Sequence, residues 1–321
     1  MTLAQLRHRK PHNIHLIICA LAITLFTISC GPEDYQEPVK KFQDASQVVI
    51  NATREFLNHE NTGEENALID QQVFDQKPID PASITQVDVI SPEEIKLRTA
   101  ALDALAKYTA NLAQLAQGKI ASDVGQDTKT LSDSLKKLSD DAKTLPGAKG
   151  TVLDNKKFSG LASAAASAIG AVAQLLIERK ARHELEHAIV SNDAAVQELI
   201  QLISDDAALA YERQKSTLSA NGVQLYNIYK SELQKKDKDP VLLLFLADRI
   251  KSFRSQEAVL PAANPAPAIS DMKKAHSALV SYVQSSKNPH SLAELVKSVQ
   301  EFTSAAQPLG SAVQTLINAS K

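Results

Sequence analysis

Residues 91–118 read SPEEIKLRTAALDALAKYTANLAQLAQG, and their pattern decides the fold. Ser91 can cap a helix start, Pro92 suits the first helical position, and Glu94 can reach back to complete a capping box. Behind that signal Ala101, Leu105, Tyr108, Leu112 and Leu115 recur alternately four and three apart. Such a stripe faces other long helices in coiled-coil fashion, and Gly118 supplies the stop.

The pattern extends outward in both directions. Leu131, Leu135, Leu138, Ala142 and Leu145 repeat it before Pro146. Upstream, Phe42, Val49, Ile50 and Phe56 predict a helix from Val39 to about Asn58. Thr62 to Ile90, with Gly63, Pro78 and Pro81 among acids and amides, reads as one long irregular segment. Downstream, a helix is expected from about Leu153 to Ile189, with a break at Ser191-Asn192-Asp193 that offers a fresh cap. Another then extends towards Lys236. Asp239-Pro240 opens a further helix whose first turns, Val241 to Leu246, are apolar on every side and are expected to be buried. Pro261 to Pro267 reads as a linker rich in proline and alanine, and Pro289 and Pro308 as brackets for the last helices.

Composition agrees. The chain has 321 residues, only 10 glycines, 4 % aromatics and no Trp. Helices packed through small and aliphatic side chains are favoured over sheets, and platforms for stacking bases or sugars are few. The expected fold is all-α: an elongated antiparallel bundle of about seven or eight helices with coiled-coil-like packing. Residues 39–260 would form its main part, and the C-terminal helices of 261–321 would pack on the same bundle.

The N-terminal segment carries a different message. Arg7, Arg9 and Lys10 precede an apolar stretch from Ile14 to Ile28, which is short for a membrane span, and Ser29 and Cys30 follow. This order reads as an export signal. Thr27-Ile28-Ser29-Cys30, followed by Gly31, resembles the lipobox of bacterial lipoproteins, although Thr27 stands where that pattern usually has Leu. The resemblance covers residues 1–30 and implies cleavage after Ser29, with Cys30 lipidated as the new N-terminus. It also implies an extracytoplasmic body, held at the outer membrane if the source is Gram-negative. Residues 30–38, polar with Pro32 and Pro38, would be the tether. Cys19, the only other cysteine, lies inside the apolar run. Cleavage would remove it and leave no internal disulfide.

Charge narrows the partners. Taking Arg7, Arg9 and Lys10 from the 35 basic residues leaves 32 against 37 acidic ones, a charge of −5 for the mature chain. A mildly acidic body has no general attraction for nucleic acid, and none is expected as a partner.

Three internal motifs bear on function. Phe158 to Ile177 is an uncharged run of twenty residues, long enough to cross a bilayer. Twelve of the twenty are Gly, Ala or Ser, which also suits a buried helix that a neighbour approaches closely. His183-Glu184-Leu185-Glu186-His187 matches H-E-x-x-H, in which His183 and His187 would hold zinc and Glu184 would activate its water. No third ligand motif follows, Glu186 is charged, and the surrounding run of charges reads as a solvated helix face. Lys235-Lys236-Asp237-Lys238-Asp239 suits a helix end followed by a cap. His59, His276 and His290 are isolated and read as surface residues. Together these features predict a lipid-tethered, protein-binding or structural module of the cell envelope, with no cofactor and no catalytic residue. A membrane-active helix at Phe158 to Ile177 and a zinc hydrolase built on Glu184 are the alternatives.

Overall fold

The computed structural model describes residues 36–75, 77–84, 90–117, 182–285 and 288–320, together with the single positions 133, 136, 166, 169, 170 and 174. Among these the protein is all-α, with no strand. Helix α1 is Gln36–Phe74, α2 the single turn Pro81–Ile84, and α3 Pro92–Ala116. Then come α4 (Arg182–Gln234), α5 (Pro240–Val259), a 3-10 turn (Leu260–Ala263), α6 (Ala266–Gln284) and α7 (Pro289–Ala319).

The local start signals are realised. Ser91 caps α3 with the full capping box: its hydroxyl accepts from the Glu94 amide, and Glu94 accepts from the Ser91 amide. Asp239 accepts from the amides of Val241 and Leu242, and Asn288 from that of Ser291, each with proline at the first helical position.

Cross-links between helices fix their directions. Arg54 bonds Asp103 and the Asn61 amide donates to the Ile90 carbonyl, so α1 and α3 are antiparallel. Arg213–Glu60, Thr217–Glu64 and Gln224–Gln71 advance together, so α1 and α4 are parallel. Gln314 bonds Glu55, and Val48 lies against Gly310, which makes α1 and α7 parallel as well. Helix α4 packs against both α5 and α6, and α6 against α7. The result is a ring, α1–α3–α4–α6–α7, closed by the first and last helices. Phe42 and Phe302 meet at its centre with ring centroids 5.8 Å apart. Residues of α6 and α7 belong to the same apolar core as α1, α3 and α4.

Several local expectations give way to tertiary packing. The chain from Thr62 to Phe74 is helical, not irregular, because α1 continues along α4 and α5 through Glu64, Asp70 and Gln71. No break occurs at Ser191-Asn192-Asp193, since α4 runs through it and Asp193 faces α6 instead of capping. The expected linker from Pro261 is a packed corner in which Leu260, Ala263 and Pro265 are buried. Pro308 lies inside α7, on the solvent side, where the carbonyl it leaves unbonded meets water. The stripe from Leu131 to Leu145 lies outside the described residues apart from Asp133 and Lys136.

The α4–α5 hairpin departs most from expectation. Of Val241 to Leu246 only Leu246 is buried, while Val241 is 76 % and Leu244 65 % exposed. At 53 residues α4 is about 80 Å long. It runs past the end of α1, so among the described residues the first turns of α5 have no third helix to cover them. The two arms meet closely at Gly222, where a Cβ would sit 2.7 Å from Phe253 Cε1.

Candidate functional site

In α1 the buried stripe Phe42, Val49, Thr53, Phe56 continues onto Glu60, so the heptad spacing carries a carboxylate inward. Glu60 is 4 % exposed. Its Oε1 lies 3.0 Å from Arg213 of α4. Oε2 has no hydrogen-bond partner among the described residues. Burial raises the Glu60 carboxyl to about 7, against the downward pull of Arg213 and Arg98. The neighbouring His59 is buried as well, contrary to the surface position expected, and burial lowers its pKa.

These groups line a cavity of about 60 Å³ between α1, α4 and α5. Asp70 is met by Arg249 of α5, whose Nε donates at 3.1 Å, and Glu64 accepts from the Thr217 hydroxyl at 2.7 Å. Gln214 is buried on the α4 wall with Oε1 unpartnered. Phe74, Leu218, Leu225 and Phe253 supply the apolar lining. Beside this cavity the Arg98 guanidinium of α3 grips Asp206 of α4 through two hydrogen bonds of 2.6 and 2.8 Å, both side chains almost fully buried.

A titration follows from Glu60. Unfolded, the carboxyl loses its proton near 4.5; folded, it keeps it to about 7. The folded state therefore binds more protons between those values, and stability falls as pH rises through the window. In chemical denaturation the Glu60→Gln variant should gain on the parent by on the order of 3 kcal/mol between pH 4.5 and 7.5. A constant difference would contradict this account.

A second polar cluster ties the ring together. His276, also expected at the surface, is wholly buried. The Tyr108 hydroxyl of α3 and His276 Nε2 share a hydrogen bond of 2.8 Å, and Asp193 of α4 stands 3.3 Å from Nδ1. The bond to His276 holds the Asp193 carboxyl below the usual range. Gln197 donates to Ser277 beside it. The three helices are thus pinned through one imidazole.

The chain matches no family model, no curated protein and no solved structure.

The sequence-derived candidates fall elsewhere. Cys30 lies outside the described residues. His183, Glu184 and His187 fall on the first turns of α4, but their side chains lie outside the described set. Most of Phe158 to Ile177 lies outside it too; of its described positions Ala166 and Ile169 are buried in the core. Among the described residues no helix is long and apolar enough to cross a membrane, and no three His, Cys, Asp or Glu side chains are placed to hold a metal ion. His290 is exposed, as expected.

The hairpin end carries the other distinctive surface. Val223, Tyr226 and Leu233 of α4 and Val241, Leu244 and Phe245 of α5 are exposed large apolar residues. Val223 and Tyr226 also line a groove of about 260 Å³ with Ile250, Phe253 and Arg254. Sequence reasoning found Val241 to Leu246 as an apolar block and placed it in the core, where of these only Leu246 is buried.

Proposed function

We propose that this protein is a lipid-tethered extracytoplasmic interaction module, anchored through Cys30, whose α4–α5 hairpin end binds a protein partner. The observation that carries the reading is the exposure of Val241, Leu244, Phe245 and Tyr226 on a projecting hairpin. Contiguous apolar surface facing water is costly, and where it stands on a rigid element it marks an interaction site. Lys230, Lys235, Lys236, Asp237 and Lys238 flank the apolar positions with charge, the composition of an interface rim. The N-terminal segment supports the anchor by its likeness to a lipobox, and the mature charge of −5 speaks against nucleic acid.

The test places a photo-crosslinking residue at Leu244 in the full-length chain and irradiates intact cells. One abundant adduct is expected, reduced at least roughly tenfold by Tyr226→Ala combined with Phe245→Ser, while the melting temperature stays within about 2 °C, as for exposed substitutions. In the same cells Cys30→Ser should move the chain from the membrane to the soluble fraction. A diffuse set of adducts, insensitive to the double substitution, would remove the hairpin end from the reading; a membrane-bound Cys30→Ser chain would remove the lipid anchor.

A further inference from the structure

We propose that the cavity between α1, α4 and α5 is a binding site for a primary ammonium group carried on a short alkyl chain. The site is separate from the hairpin end, and the inference does not depend on the function proposed above.

The argument is a count of hydrogen-bonding groups. Both arginines on the wall already have carboxylate partners: Arg213 stands against Glu60 Oε1 and Arg249 against Asp70. Glu64 Oε1 is occupied by Thr217. Apart from the ion-paired Glu60 Oε1 and Arg213 Nη1, the buried lining atoms without a hydrogen-bond partner are Glu60 Oε2 and Gln214 Oε1, one from α1 and one from α4, and both are acceptors. Each belongs to a side chain more than nine-tenths buried. Desolvated acceptors of this kind call for a donor. Charge adds a sign. Glu60, Glu64 and Asp70 face Arg213 and Arg249, while burial lowers the pKa of His59 and favours its neutral form, so with Glu60 ionised the wall is short of one positive charge.

Size and lining narrow the class. By the same measure a water molecule needs about 10–15 Å³, so 60 Å³ admits roughly four or five heavy atoms. Phe74, Leu218, Leu225 and Phe253 offer apolar contact for methylene groups. A divalent metal would need several hard oxygen ligands converging on one point, and among the described residues no group of three His, Cys, Asp or Glu is placed to hold one. A guanidinium seeks both oxygens of one carboxylate, and Glu60 Oε1 is already committed to Arg213. A quaternary ammonium has no N–H to give. A primary ammonium has three donors and a single charge, and it fits each constraint.

Binding is linked to protons. The bound cation favours ionised Glu60, whose proton is otherwise retained to about 7. The charged groups around that carboxylate are Glu64 and Asp70 of α1, Arg98 of α3, Asp206 and Arg213 of α4, and Arg249 of α5. Affinity should therefore be about tenfold higher at pH 8.5 than at pH 6, where most of Glu60 is protonated while the alkylammonium stays charged.

The test is calorimetric titration of the full-length chain with n-butylammonium, putrescine and the amide of Nα-acetyl-lysine, each at pH 6 and 8.5. One-to-one saturable binding is expected. Tighter binding of the diamine points to a free amine as the natural ligand, and tighter binding of the lysine derivative to a lysine side chain. Glu60→Gln should weaken binding at least tenfold at pH 8.5 and flatten the pH dependence. Gln214→Leu, which leaves every charge in place, should weaken it several-fold. Absence of saturable heat with all three compounds overturns the proposal, as does equal binding of tetramethylammonium or unchanged affinity in Glu60→Gln.

Discussion

Replacing Arg98 by methionine is expected to destabilise the protein by about 3–5 kcal/mol, the largest loss of any single charged substitution in the bundle. Arg98 and Asp206 are 5 % and 7 % exposed and bind each other through two parallel hydrogen bonds. Taking both from water is costly, and their attraction offsets the cost only while both are present. Methionine fills much the same space but strands the Asp206 carboxylate in an apolar seam between α3 and α4. The double substitution Arg98→Met with Asp206→Leu removes both charges and should recover most of the loss, because packed apolar pairs commonly match or exceed buried ion pairs. Urea denaturation of the three variants checks this. A double variant no more stable than Arg98→Met would show that lost packing, not the stranded charge, is responsible.

Phe302→Ala is expected to cost about 3–5 kcal/mol and to lower the melting temperature by on the order of 10 °C. Phe302 is wholly buried, and its ring faces Phe42, which in turn lies 6.3 Å from the His276 ring. The contact joins the first and last helices, so the substitution opens a cavity where the ring of helices closes. The matching change Phe42→Ala empties the other half of the same space. The double variant should therefore lose clearly less than the sum of the two single losses, since neighbours sharing a cavity are not additive. Strict additivity in calorimetry would mean that the two rings contribute independently.

The sequence was informative where a local signal met no competing long-range partner. The caps at Ser91 and Asp239 depend on residues within one turn and are found where their side chains place them. Gly63 and Ser191-Asn192-Asp193 are local signals too, but they are overridden by partners far away in the chain: Glu64 bonds Thr217, Asp70 meets Arg249 and Asp193 meets His276. Burial of Val241 to Phe245 was inferred from their character alone. Whether a neighbouring helix extends far enough to cover them is a matter of relative helix lengths, which periodicity does not report.

The candidate cavity did leave a trace. Glu60 continues the spacing of Val49, Thr53 and Phe56, Arg98 precedes Ala101 and Leu105 by three and seven, and His276 falls between Met272 and Leu279 on the apolar face of α6. A charged or polar residue in register with an inward stripe is a sign of a buried partner. His276 reads as a surface group and Glu60 and Arg98 pass unremarked, because the partners of these three come from other helices, and those of Arg98 and His276 lie 108 and 168 positions away.

The closure of α1 on α7 also governs how the chain can reach its folded form. Phe42 must wait for Phe302, and Glu55 for Gln314, a separation of 259 residues. An N-terminal portion emerging from a ribosome or a translocation pore therefore cannot complete its core, whatever helices it has formed. Contacts of such long range slow folding and leave the apolar faces of α1 and α3 open until the final helix arrives. On the extracytoplasmic reading proposed above, late closure would keep the chain in the unfolded form that threading through a membrane requires. It also makes the last thirty residues the step at which folding is committed.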